Sequence, residues 1–278
     1  MTSGPSKRSN FTVRLCTAAL LVPLAVGAIV AGGVIFTAFV AIVGSAAAFE
    51  FARLVEGRGL GPGAWPMMLA GAGAAAAMLL ADATAALAVV ALALAAALGL
   101  ALRDRDRAGG LVAGVVYVGL AVPALVALRG ADRTGLVAVL FVFAVVWATD
   151  IGAYVVGRTV GGPKLAPAIS PGKTRSGAVG GLAAGVAAGL AVIQVASPPV
   201  GWEVVAVAAL ISVASQSGDL YESALKRRAG VKDSGRLIPG HGGVLDRIDG
   251  LVFGVIAGFA VGAFRAGLAA PGRGLVAW

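Results

Sequence analysis

The chain has 278 residues, of which 59% are hydrophobic and 13% charged, and it carries a formal charge of +9. Soluble domains run near 45–50% apolar and about 25% charged, so this composition excludes a soluble globular enzyme and intrinsic disorder alike. The 42 glycines follow no period and short alternating segments are absent, which excludes collagen and a membrane barrel and leaves an all-α, polytopic integral membrane helical bundle.

Residues 1–12 are polar and basic and read as a cytoplasmic N-terminal tail. Apolar runs follow at 13–31, 33–51, 65–81, 84–102, 110–128, 135–156, 177–196, 203–219 and 250–268. Each is near the ~20 residues that cross a bilayer, so about nine transmembrane helices are expected. The first run follows basic residues, as a signal peptide does. A second apolar run begins almost at once after Gly32-Gly33, however, so a helical hairpin retained in the protein is the better reading. Residues 13–134 then form an N-terminal group of helices. Residues 135–278 form a C-terminal region with two longer polar loops, at 157–176 and 220–249. Cys16 and His241 are the single cysteine and histidine, so neither an internal disulfide nor a zinc cluster is available, and Cys16 reads as packing.

With the N-terminus inside and nine crossings, 18 of the 22 basic residues fall in inner segments; only Arg129, Arg133, Arg265 and Arg273 fall outside. That asymmetry follows the positive-inside rule and puts both long loops on the cytoplasmic side of the cell membrane. It also accounts for the positive charge, so no nucleic-acid partner is expected.

The 13 acidic residues can be placed one by one. Glu56, Asp82, Asp104, Asp106, Asp132 and Glu203 lie in loops or at span ends and read as solvated. Glu50 closes the second run and reads equally well as interfacial or functional. Asp150 lies within the sixth run, where an aspartate costs about 2.5–3.5 kcal/mol at a helix centre, so it faces a polar cavity or an interhelical partner. Asp219 and Glu222 are spaced i, i+3, as are Asp246 and Asp249, so a helix would put each pair on one face. The two pairs flank the 220–249 loop at one membrane depth. A divalent cation on oxygen ligands would relieve their repulsion; pairing with Lys226, Arg227, Arg228 and Arg247 would do the same.

Gly172-Lys173-Thr174 has the ending of a P-loop, but Pro167 stands where its first glycine is required, so that reading fails. Ser170, Lys173, Thr174, Arg175 and Ser176 still offer hydroxyls, cations and backbone amides suited to a phosphate, or simply a basic inner loop. The segment 223–249 holds six cations and three carboxylates around His241. Gly242 and Gly243 allow backbone amides to approach a ligand closely. Cations beside candidate metal carboxylates suit a polyphosphate, at the depth of a lipid headgroup.

This segment resembles the signature of the phosphatidate cytidylyltransferase (CDP-diacylglycerol synthase) family. Every fixed position is met, from Ser223 through Lys226-Arg227, Lys232-Asp233, Gly235, Ile238-Pro239, His241-Gly242-Gly243 and Asp246-Arg247 to Asp249. Asp150, Gly152-Ala153-Tyr154, Gly157-Arg158, Lys164-Leu165, Ser170 to Thr174 and Ser217-Gly218-Asp219 are similar to the family as well. The likeness is specific over about 147–252; the N-terminal half is alike only in hydrophobicity and span count.

The resemblance implies a membrane enzyme that joins CTP and phosphatidic acid into CDP-diacylglycerol and pyrophosphate. It also implies Mg²⁺ with K⁺ as a second ion, and a homodimer. Asp219 and Asp246 match the family's metal carboxylates, with Asp249 or Glu222 as further ligands. Lys226, Arg227, Lys232 and Arg247 would contact the phosphates. Asp150, Ser170, Lys173, Thr174, Ser176, Ser223, Gly242 and Gly243 would line the substrates. His241 would shuttle a proton, or serve only as a loop hydrogen bond. The rival readings are a CTP-dependent kinase of a polyprenol or phytol and, from another class, a transporter of a phosphorylated solute. A transporter would place polar groups at the midplane of several spans, where the sequence offers Asp150 alone.

Overall fold

The computed structural model describes residues 7–57, 61–196 and 200–277. Arg58, the Ser197-Pro198-Pro199 connector and the side chain of Cys16 lie outside the described residues. Every apolar run of the sequence is helical. The helices are α1 (Lys7–Ala31), α2 (Gly33–Glu56), α3 (Ala64–Met68), α4 (Ala74–Leu80), α5 (Ala83–Ala101), α6 (Ala108–Arg129), α7 (Arg133–Thr159), α8 (Arg175–Ala196), α9 (Trp202–Arg228), α10 (Leu245–Ala266) and α11 (Pro271–Val276). Among the described residues, seven of these (α2 and α5 to α10) are long and apolar enough to cross a membrane. The protein is an all-α, polytopic membrane bundle.

The expected count of nine spans needs qualification at two places. Among the residues whose side chains are described, the apolar part of α1 is Ala19–Ala31; α3 continues through a π-helical turn (Leu69–Gly73) into α4, giving a shorter apolar stretch of Ala64–Leu80. Residues 7–12, expected within the N-terminal tail, are helical and belong to α1 (Lys7–Ala31).

The polar loops are also shorter than expected. α9 runs nine residues past the apolar stretch that ended at 219, carrying Glu222, Lys226 and Arg227 on the helix. The i, i+4 pair Glu222–Lys226 sustains those last turns once the apolar residues end. The segment 157–176 holds a β-hairpin of β1 (Lys164–Ala166) and β2 (Ser170–Thr174), with Lys164 opposite Thr174 and Ala166 opposite Ser170. The turn into it uses positive φ at Gly161 and Gly162, which glycine adopts without a Cβ clash.

α7 and α8 pack closely because α8 presents Gly177, Gly181, Gly185 and Gly189 at four-residue intervals. A Cβ at Gly181 would stand 2.7 Å from Thr149 O, and one at Gly185 would stand 2.3 Å from Thr149 Oγ1. Small residues at such spacing let membrane helices approach backbone to backbone. Thr149 Oγ1, fully buried there, bonds Ser212 Oγ of α9 at 2.8 Å, so α7, α8 and α9 form one unit.

At the opposite end from the hairpin, Arg129 is buried and donates to the carbonyls of Ile29 (2.6 Å), Val30 (3.1 Å) and Asp132 (3.3 Å). It was expected as a loop cation; instead it caps the C-terminus of α1. Glu56, expected in solvent, is buried and accepts Gly63 N at 2.8 Å. Asp82 and Asp132 cap α5 and α7 through Ala85 N and Gly135 N, each at 2.8 Å.

Candidate active site

A polar cavity of about 540 Å³ opens where the hairpin lies over the ends of α7, α8 and α9. α7 contributes Asp150, Ala153, Tyr154, Gly157 and Arg158, spaced i, i+3, i+4, i+7, i+8, one face of a helix. β2 contributes Gly172, Lys173 and Thr174; α9 contributes Gln216 and Asp219. Lys173 Nζ lies 2.5 Å from Asp219 Oδ2, and the Asp219 side chain keeps 33% exposure toward the cavity. Ser223 Oγ, one turn on, donates to Asp219 Oδ1 at 3.4 Å. Arg158 donates to Tyr154 Oη at 2.8 Å, which aligns the guanidinium along the wall. Asp150, Asp219 and Asp249 feel one another's charge, with Lys173 acting on Asp150 as a counter-ion.

A second cluster lies between α9 and α10. Lys226 Nζ sits 2.5 Å from Glu222 Oε2 and 2.7 Å from Asp246 Oδ1; Glu222 is 1% exposed and Asp246 5%. Asp246 also accepts Ser234 N at both oxygens (3.2 and 3.0 Å) and Gly243 N at 2.8 Å. A carboxylate has about four lone-pair sites, and those of Asp246 are filled. Asp246 and Glu222, both expected as metal ligands, stand here on either side of Lys226. Among the described residues no three His, Cys, Asp or Glu side chains converge as a metal-binding group.

The hydroxyls expected to touch substrate act in part as fasteners. Thr174 Oγ1 accepts Gly177 N at 3.0 Å, capping α8. Ser176 Oγ donates to Gly161 O and pairs with Thr174 Oγ1. Arg227 Nε donates to Ile169 O at 3.3 Å and ties the hairpin to α9. Ser170 is half-buried on β2, and Lys232 is exposed on the 229–244 loop.

α10 has two chemical faces. Asp246, Asp249 and Gly250 turn toward α9, where a Cβ on Gly218 would meet Asp249 O at 2.6 Å. Val244, Arg247, Ile248, Leu251 and Val255 line a separate, largely apolar cavity of about 440 Å³ with residues of α1, α2, α6 and α7. His241 and Arg247 therefore lie at that second cavity, not beside Asp219, and Arg247 donates to His241 O at 2.8 Å. Gly242, at φ 86°, closes a tight turn in which Ile238 N bonds Gly242 O at 2.9 Å. Sequence reasoning left Gln216 out and named Arg158 and Tyr154 only as part of the resemblance, without a role; the i, i+4, i+8 spacing of Asp150, Tyr154 and Arg158 was the signal for the last two.

These features define a polytopic membrane protein with a cavity lined by charged side chains at one end of its bundle, beside an apolar cavity between helices. Residues 12–264 match the model of the cytidylyltransferase family, and the chain belongs to that family. A phosphatidate cytidylyltransferase of Brucella suis biovar 1 (strain 1330) is 53% identical over 140 residues, 50% of this chain and 52% of the relative. One of Staphylococcus saprophyticus is 42% identical over 140 residues, covering 50% and 53%. One of Bacillus subtilis (strain 168) is 38% identical over 146 residues, covering 52% and 54%. Each match spans about half the length of the curated relative.

Proposed function

We propose that the protein transfers the cytidylyl group of CTP to phosphatidic acid, giving CDP-diacylglycerol and pyrophosphate for phospholipid synthesis. The observation that carries this reading is the meeting of Lys173 and Asp219 in a polar cavity that also holds Asp150 and Arg158. The neighbouring apolar cavity, with Arg247 and His241 among its lining residues, suits an acyl chain whose phosphate stays at the polar end. Membership of the cytidylyltransferase family and relatives named phosphatidate cytidylyltransferase support the choice of reaction.

The lipid phosphate is anionic at neutral pH and needs little help from a base. Its oxygen forms a new bond to the α-phosphorus of CTP, the bond from that phosphorus to the α–β bridging oxygen breaks, and the electron pair leaves with pyrophosphate. The protein's part is positioning and charge neutralisation. Lys173 and Arg158 hold phosphate oxygens, Lys232 and Arg247 approach from the 229–247 segment, and Lys226 keeps Asp246 and the loop amides in place.

Mg²⁺ is typically held by one or two carboxylates plus substrate phosphates, so a larger protein cluster is not required. Asp219, whose side chain keeps 33% exposure toward the cavity, would hold the ion there. When bound, Mg²⁺ supplies charge neutralisation at the phosphate oxygens. K⁺ as a second ion, a homodimer, and an orientation with both loops on the cytoplasmic side of the plasma membrane belong to the same proposal. The deciding experiment incubates detergent-purified protein with CTP, Mg²⁺ and phosphatidic acid and measures CDP-lipid and pyrophosphate. Release of CDP with a phosphorylated polyprenol would replace this reading with a lipid kinase, and solute flux without chemistry in proteoliposomes would replace it with a transporter.

A further inference from the structure

Glu50 lies on α2, in the half of the chain where the sequence signature has no counterpart. The sequence left it open between an interfacial and a functional reading; its side chain is fully buried, at 0% exposure. One oxygen, Oε2, accepts Ser234 Oγ at 3.1 Å and Leu245 N at 2.8 Å. Leu245 is the first residue of α10, so Glu50 takes one of the amides that a helix N-terminus leaves unpaired, where negative charge is favoured. Ser234 is itself buried, and its backbone N–H donates to both oxygens of Asp246. A single residue, Ser234, thus joins the Glu50 carboxylate to the Asp246 carboxylate, through its hydroxyl on one side and its amide on the other.

Two glycines of the loop are explained by the same carboxylate. A Cβ on Gly235 would stand 2.0 Å from Glu50 Oε1, and one on Gly243 would stand 2.4 Å from Glu50 Oε2 and 2.1 Å from Ser234 Oγ. Neither glycine has positive φ, so their lack of a side chain answers to Glu50 and Ser234 and not to backbone conformation. The sequence had assigned Gly243 to ligand approach. Burying a carboxylate is unfavourable unless its bonds do something that an apolar residue of similar size would not. Here they fix the 234–246 segment against α2.

We infer that Glu50 is a positioning residue for the transfer reaction. It touches no reacting atom; through Ser234, Leu245, Gly235 and Gly243 it sets where Asp246, and hence Lys226, stand. The inference rests on the function proposed above.

The test compares wild type with Glu50→Ala, Glu50→Gln, Gly243→Ala and the double variant Glu50→Ala/Gly243→Ala. Two readouts are used: steady-state kinetics of CDP-lipid formation, and hydrogen–deuterium exchange of the 230–248 peptides. In Glu50→Ala, kcat falls about ten- to a hundredfold while the KM for CTP stays within about threefold, the size of effect that mispositioning produces. Exchange accelerates at 234–245 and stays unchanged in the middle of α9. Gln keeps an acceptor oxygen for Ser234 and Leu245 and restores both readouts. Gly243→Ala alone is impaired, and in the double variant it adds less than its own loss to Glu50→Ala, since only the contact with Ser234 Oγ remains. Wild-type kcat and wild-type exchange at 234–245 in folded Glu50→Ala overturn the inference, as does full additivity of the two losses. If Glu50→Ala is not recovered folded, Glu50→Asp replaces it: the shortened side chain lowers kcat and loosens 234–245, and wild-type values for both overturn the inference. The exchange readout needs no activity. If wild type makes no CDP-lipid, the proposed function fails while the placement of the loop by Glu50 is still decided.

Discussion

Lys173 on the hairpin and Asp219 on α9 meet at 2.5 Å across the polar cavity, so two segments 46 positions apart in sequence close one site. The pair is half-buried but open to the cavity; solvated pairs contribute little to stability, about 0–1 kcal/mol, and that makes it useful for separating chemistry from folding. Asp219→Ala and Lys173→Met are each expected to leave the thermal melt within a few degrees of wild type. CDP-lipid formation should fall at least about a hundredfold, as it does when a group that stabilises transition-state charge is lost. The reversed pair Lys173→Asp/Asp219→Lys keeps the ion pair but puts each charge where the other was needed, so it should stay inactive. Recovery of turnover in the reversed pair would mean that the two residues only hold the hairpin down.

Lys226 presents the opposite case. It is 15% exposed and lies between Glu222 and Asp246, both nearly buried. Lys226→Met would leave two buried carboxylates without a cation, a change that costs about 3–5 kcal/mol when one partner of a buried pair is removed. The expected result is a melt lowered by many degrees in detergent, together with lost activity. Glu222→Gln, which leaves Lys226 facing the single charge of Asp246, should be much milder. Addition of Mg²⁺ to Lys226→Met offers a further measurement. If Asp246 becomes a metal ligand once the ammonium is gone, millimolar Mg²⁺ should raise the melt of this variant more than that of wild type.

The sequence carried the class of fold well because apolar runs of bilayer length have few alternatives. It also put Asp219 and the loop containing Lys173 at one site, since the two longer polar loops fall on the same side of the membrane. It left open how the charges within the 220–249 stretch sort, by a cation or by pairing with Lys226 and its basic neighbours. The i, i+3 spacing of Asp246 and Asp249 identifies a shared face but not that Lys226 faces Asp246, because that contact depends on how α9 and α10 cross. Arg247 fell on the other side of α10, beside the apolar cavity, as the roughly 100° per residue of a helix requires once Asp246 points at α9. The hairpin at 164–174 was illegible because neither strand has the alternating apolar pattern of a half-buried strand. Glu50 stayed undecided between an interfacial and a functional reading: a lone glutamate at the end of an apolar run does not reveal that a loop almost 200 residues away folds over it.

The glycine row on α8 leads to a prediction about packing alone. A methyl at Gly185 would stand 2.3 Å from Thr149 Oγ1 and 3.1 Å from Val145 O. Thr149 would have to give up its bond to Ser212 or α8 would have to move outward. Overpacking of this kind costs about 1–3 kcal/mol. Gly185→Ala should therefore lower the melt measurably, whereas Gly172→Ala on the hairpin, where an added Cβ meets nothing within 4 Å, should leave it unchanged. Equal melts for the two variants would show that α7 and α8 are less tightly apposed than these distances require.

Arg158 separates the two substrates. It lines the polar cavity on the same face of α7 as Asp150, and its hydrogen bond to Tyr154 Oη leaves further guanidinium N–H groups for an anion. Because the cavity holding it is polar and the neighbouring one is apolar, Arg158 should meet the triphosphate and not the lipid. Arg158→Ala is expected to raise the KM for CTP about tenfold, corresponding to about 1.4 kcal/mol of lost binding, with little change in the KM for phosphatidic acid. Arg158→Lys keeps the charge but not the planar fork and should recover only part of the loss. Tyr154→Phe should have a smaller effect in the same direction, since it removes only the hydroxyl that aligns the guanidinium. Steady-state measurements with each substrate varied in turn decide the matter; a rise confined to the lipid KM would move the headgroup into this cavity and the nucleotide out of it.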